Sequence, residues 1–143
     1  MTDTWYEILE WCSEGKTKKD RIARLQKNSG SELKQILGYT YDPGVKWLLP
    51  KGPPPYKPVA SAADIQGQFK AELRRLYLFV DGDTETQRNL KPLRREQLFI
   101  ELLEAIHPND ALLLVAMSER KLPFKNLTRE IESQAFPNMS KNW

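Results

Sequence analysis

Apolar residues recur at three- and four-residue intervals along most of the chain, the spacing of one buried helix face. Trp5, Ile8, Leu9 and Cys12 form the first such face, with Thr2 or Asp3 as its cap and Gly15 as its end. Thr17-Lys18-Lys19-Asp20 fits a capping box with Asp in place of the usual Glu or Gln, and it opens a second helix that buries Ile22 and Leu25. Asn28-Ser29-Gly30 breaks that helix. Ser31 caps a third, with Leu33, Ile36 and Leu37 inward, and Asp42-Pro43-Gly44 turns the chain away from it. The run from Val45 to Leu49 is too short to assign and fits either a helical turn or a strand.

Beyond it lies Pro50-Lys-Gly-Pro-Pro-Pro-Tyr-Lys-Pro58, whose middle lacks most backbone donors and is expected to be extended, polyproline II-like and exposed. A bridge between two helical layers is the plainer reading of such a loop, an SH3-type ligand the rarer one. Ser61 then caps a longer helix with Ile65, Phe69, Leu73, Leu76, Tyr77 and Val80 on one face. Residues 81–86 read as a polar loop. Pro92 suits the first turn of the next helix, where Leu98, Phe99, Leu102, Leu103 and Ile106 face inward. His107-Pro108-Asn109-Asp110 breaks it and caps a further helix through Met117, and residues 122–126 form a loop. Thr128 caps a last helix carrying Ile131, Ala135 and Phe136. The pattern predicts an all-α, single helical domain over residues 1–143, of about seven short helices. Its parts are a first helical layer (1–49), a Pro-rich connector (50–60), a second helical layer (61–137) and a polar tail (138–143).

A chain of 143 residues is long enough to bury one core without staples. With a single cysteine, Cys12, no internal disulfide can form, and its position on an apolar face marks it as a small core hydrophobe. The longest apolar run, residues 111–117, is far too short to span a bilayer. The start of the chain lacks the basic and apolar blocks of a signal peptide. These features predict a cytoplasmic protein.

The net charge of +3 decides little, but its distribution does. Residues 16–27 hold Lys16, Lys18, Lys19, Arg21, Arg24 and Lys27 against one acid, Asp20. Such clustering makes a local positive face on a nearly neutral molecule. Catalytic chemistry, by contrast, has few candidates. One histidine and one cysteine give zinc no ligand set, and His107, next to Pro108 at a helix junction, reads as a cap. Asp81-Gly82-Asp83 lacks the later ligands of a calcium loop. The seven glycines are scattered singly, so neither a phosphate loop nor a nucleophile elbow is present. The sequence thus predicts no enzyme, no cofactor, no metal and no small-molecule substrate.

The stretch Gly15-Lys-Thr-Lys-Lys-Asp-Arg-Ile-Ala-Arg-Leu-Gln-Lys-Asn28, continuing through Glu32-Leu-Lys-Gln-Ile-Leu-Gly-Tyr-Thr-Tyr41 to Gly44-Val-Lys-Trp47, resembles a known module. It is similar to the helical N-terminal DNA-binding domain of phage T4-type ATP-dependent DNA ligases. Residues 90–106 resemble the helix before that family's DNA-touching segment. Residues 112–137, with Arg120-Lys-Leu122, a helix over 128–135 and Phe136-Pro137, resemble the segment itself. The Lys-x-Asp-Gly nucleophile motif of the adenylation core is absent, so the resemblance implies a stand-alone binding module rather than a ligase. The family's small Gly-Ala-Ser loop is replaced by Pro123-Phe124-Lys125-Asn126. Phe124 hinders close approach to DNA there unless it wedges or packs inward.

The resemblance implies binding of duplex DNA through phosphates, without reading sequence, as a phage accessory protein. The residues expected to do so are Lys16, Lys18, Lys19, Arg21, Arg120, Lys121, Lys125, Thr128 and Arg129. Helix starts offer free N–H groups and a partial positive charge to such an anion. The alternative is a protein-interaction module, host-directed or virion-associated, docking through Trp11, Trp47 and Trp143. It rests on four tryptophans in a chain this small.

Overall fold

The Thr4 hydroxyl accepts the Glu7 amide and so starts the first helix just after the expected caps. The computed structural model describes residues 4–58 and 68–140, which leaves Thr2, Asp3, Ser61, Ile65 and Trp143 outside the described residues. Across them the elements are α1 (Trp5–Ser13), α2 (Lys18–Lys27), α3 (Ser31–Tyr41), α4 (Gln68–Glu72) running into a 3-10 helix (Leu73–Phe79), α5 (Glu85–Asn89), α6 (Pro92–Ala105), α7 (Pro108–Ser118) and α8 (Arg129–Ala135). The all-α expectation holds, and the described helices form one domain.

α7 is the hub. It buries Ala111, Leu113, Leu114, Val115 and Met117 and packs against α1, α3 and α6. The expected first layer therefore lies directly on α7 and α8 of the second. Leu9, Leu25, Leu33, Ile36 and Leu37 from the N-terminal helices share a single core with Phe69, Leu76, Phe79, Phe99 and Leu103. At about 25 cal/mol per Å² of apolar surface removed from water, each fully buried Leu or Phe contributes about 2–3 kcal/mol.

Three expectations need correction. The long α-helix through Val80 is a 3-10 helix over Leu73–Phe79. Its buried residues are Leu73, Leu76 and Phe79, three apart, and Tyr77 points to solvent. Three residues per turn is the 3-10 period, so the side chains follow the tighter winding. Second, the polar loop at 81–86 carries the start of α5, opened by a full capping box between Thr84 and Gln87. Third, Ser31, expected as a cap, is the first residue of α3 after Gly30. Residues 138–140 fold back on α8: Ser140 is buried and its hydroxyl donates to the Ser133 and Phe136 carbonyls.

The ambiguous run after α3 settles as a single antiparallel bridge between Trp47 and Val80. Leu48 donates to the Phe79 carbonyl and Asp81 to that of Lys46, each at 2.8 Å. Residues 50–58 follow without regular structure, largely exposed, and turn at Gly52, whose φ of 86° suits glycine. This segment is pinned rather than free. The Lys57 amide donates to Glu104, and Tyr56 packs on the core.

Candidate nucleic-acid interface

Two segments that are distant in sequence meet along α2 and α8. The Lys18 ammonium pairs with the Glu130 carboxylate at the helix starts, and Gln26 donates to the Ala135 carbonyl at the helix ends, at 3.0 Å. The two helices therefore run parallel, with both starts at the same end. There Thr17 caps α2 by accepting the Asp20 amide, and Thr128 caps α8 by accepting the Ile131 amide. Asn126 donates to the Ser13 carbonyl at 3.2 Å and fixes the α7–α8 loop against the end of α1. Lys16, Lys18 and Lys19 are thus brought to the same edge as Lys125, Thr128 and Arg129, all exposed.

The loop itself is clasped from inside. The Tyr41 hydroxyl accepts the Leu122 amide and donates to the Leu127 carbonyl, both at 3.3 Å. Phe124 packs inward with its ring centre 4.9 Å from that of Tyr6 and is only 8% exposed. The inward option for Phe124 is the one realised, and Lys125 is left on the surface.

Not every expected cation is available. Arg21 donates to the Gly15 carbonyl at 2.8 Å, and its Nε is buried without a hydrogen-bond partner. Arg120 turns its guanidinium onto the Tyr39 and Asp42 carbonyls at the end of α3. These are the orphan carbonyls that every helix end leaves. Arg95 does the same for Leu78 and Gln87. Arg21, Arg95 and Arg120 thus tie off helix ends. Lys18 is matched by Glu130, whose carboxyl it holds below the usual carboxylate range. Among the described residues no ion pair engages Lys16, Lys19, Lys121, Lys125 or Arg129.

The tryptophans divide. Trp11 is 38% exposed, with Arg24 at 4.6 Å and Lys27 at 5.7 Å from its ring centre. These cation–π contacts staple α1 to α2. Trp47 is half-buried, donates its Nε1 hydrogen to the Tyr39 carbonyl and meets Phe99 edge-on.

Sequence reasoning passed over two buried acids. Asp110 accepts the Tyr6 amide at 3.0 Å and so caps α1 from the first turn of α7. Burial pushes its carboxyl up to about 6 against the opposing pull of the Trp5 and Tyr6 amides and His107. Glu132 is fully buried on α8, both of its oxygens lack a hydrogen-bond partner, and burial holds its carboxyl well above the usual range. The only surface sign of Asp110 was its place three residues after His107 at a helix start. Glu132 had none. Burial also lifts the Cys12 thiol to about 11, which leaves no thiolate at neutral pH.

Among the described residues no group of three or more His, Cys, Asp or Glu is placed to hold a metal ion, and no helix is long and apolar enough to cross a membrane. Comparison with protein families matches residues 8–123 to a family of unknown function, DUF6433. The match spans most of the chain, so this protein belongs to that family. Lys125, Thr128 and Arg129 lie beyond the matched residues. Among curated proteins and among solved structures nothing matches the chain.

Proposed function

We propose that this member of the DUF6433 family is a non-enzymatic DNA-binding protein that grips the phosphates of duplex DNA without reading base sequence. The parallel pairing of α2 and α8 supports this reading most directly, because it gathers Lys16, Lys19, Lys125 and Arg129 onto one edge. The ligase-like layout of the sequence agrees with an accessory role of this kind for a phage protein. With Arg21 and Arg120 turned onto backbone carbonyls and Lys18 paired with Glu130, contact with about four phosphates is expected. The log K against log salt slope is then about −3 to −4.

The test is an anisotropy titration of random-sequence duplex at two salt concentrations. Saturable binding at low salt with that slope, weakened by Lys19→Ala and Arg129→Ala, supports the reading. Absence of binding at tens of micromolar overturns it. Trp11 favours a second reading, docking of a partner protein on the α1–α2 face. A partner lost on Trp11→Ala while duplex affinity is kept would favour that instead.

A further inference from the structure

Beside the basic edge the molecule has a cleft of about 750 Å³ with no role in the contacts described so far. Its lining joins the apolar and aromatic Val45, Trp47, Leu49 and Pro50 to Lys46 and Lys51, with the clamped Arg120 and one acid, Glu119. Lys46 and Lys51 are exposed, and no ion pair among the described residues engages them. A smaller cavity of about 130 Å³ continues along the other side of residues 49–52, between Pro53, Pro54, Glu96 and Phe99. The walls are held in place. Trp47 is tied to the Tyr39 carbonyl, the bridge to Val80 fixes its backbone, and Arg120 clamps the end of α3.

The cleft also adjoins the proposed DNA edge. The Tyr41 clasp draws the two ends of the α7–α8 loop together, so Arg120 and Lys121 on one side lie near Thr128 and Arg129 on the other. The electrostatic effect of Arg129 on Arg120 reports the same closeness. A polyanion on the α2–α8 edge therefore has a short path into a pocket lined by both apolar side chains and cations. Duplex DNA is too wide to enter and keeps its bases stacked inside. An unpaired nucleotide, with an apolar base face and a phosphate at each end, matches both parts of the cleft.

We infer that the cleft between Trp47 and Arg120 holds unpaired nucleotides of DNA bound on the neighbouring edge, so that the protein prefers duplex carrying a single-stranded tail. The inference rests on the duplex-binding reading and adds a structure preference to it. Bases would lie on the Trp47, Leu49 and Pro50 surface, and the phosphates of the tail would meet Lys46 and Lys51.

The experiment compares blunt duplex with the same duplex bearing a short thymidine tail, by anisotropy, for the wild type and for Lys46→Ala/Lys51→Ala. Both lysines are exposed and outside the α2–α8 edge, so the double variant keeps its fold. The expected result is a preference of about tenfold for the tailed ligand. That preference should collapse in the double variant while blunt-duplex affinity holds. Trp47→Leu, checked for native helicity, should erase the preference as well. Equal affinities for blunt and tailed ligand in the wild type overturn the cleft while leaving duplex binding intact. So does equal weakening of both ligands by the double variant, since that is general electrostatics. Failure of both ligands to bind overturns the duplex reading and this inference with it.

Discussion

The Lys18 ammonium and the Glu130 carboxylate, 112 positions apart in the chain, form an exposed ion pair at the starts of two parallel helices. The pair joins the halves of the proposed interface and also neutralises a cation in its centre. Removing the acid alone should therefore strengthen binding. Glu130→Gln is expected to tighten duplex affinity several-fold and to steepen the salt slope by about one, as Lys18 becomes free for a phosphate. Anisotropy at two salt concentrations measures both, and unchanged affinity would place the phosphates elsewhere.

Arg120 predicts an unusual order of variants. It sits just past the end of α7 with φ 69°, and the Lys121 and Arg120 amides donate back to the Ala116 and Met117 carbonyls. That pattern is a Schellman turn, where glycine is the customary residue. Arg120 accepts the backbone cost because its guanidinium ties off α3. Arg120→Ala loses the guanidinium and keeps the cost, about 2 kcal/mol in all. Arg120→Gly should be about 1 kcal/mol more stable than the alanine variant. Urea titrations of the two variants decide it.

The buried acids set a pH dependence with a definite sign. Asp110 titrates near 6 in the folded protein against 3.8 in an ordinary carboxyl. A raised carboxyl pKa means that the folded state favours the protonated form. This stabilisation is complete below the unfolded value and is lost as pH rises through the folded one. Its upper bound is about 3 kcal/mol. Glu132 acts in the same direction. The melting temperature should therefore be higher at about pH 5 than at about pH 7.5. Glu132→Leu should raise stability at neutral pH by roughly 1–3 kcal/mol and flatten the profile. A wild-type protein that gains stability between those pH values would contradict the assignment.

Gly82 meets a different constraint. A Cβ there would stand 2.3 Å from the Gln87 amide. Gln87 cannot yield cheaply, because its side chain completes the capping box and donates to the Tyr77 and Val80 carbonyls. Gly82→Ala should cost about 1–2 kcal/mol by thermal melt.

The helices with long apolar periods were legible in the sequence. α1, α2, α3 and α6 turn inward the residues that spacing predicts, Trp5, Ile8, Ile22 and Leu98 among them half-buried, because a face of large side chains outweighs local noise. The 3-10 helix escaped because Leu73 and Leu76 suit either winding. Phe79, rather than Tyr77, is what distinguishes the period of three. α5 escaped because it has almost no apolar face, although Thr84-x-x-Gln87 carried its signature. The basic clusters were visible as composition. Their convergence was not, since it depends on α8 docking along α2. Nor was the inward turn of Arg21, Arg95 and Arg120, because a polar letter does not say whether it faces water or a helix end.

The α2–α8 pairing has a temporal consequence for the growing chain. Lys18 leaves the ribosome 112 residues before Glu130, so the first half of the edge must wait for its other half. Closing so long a loop costs entropy that local contacts cannot recover. Whatever the edge grips, a nascent or shortened chain ending before α8 cannot grip it in the same way. The completed surface is thus absent from every chain that stops short of α8.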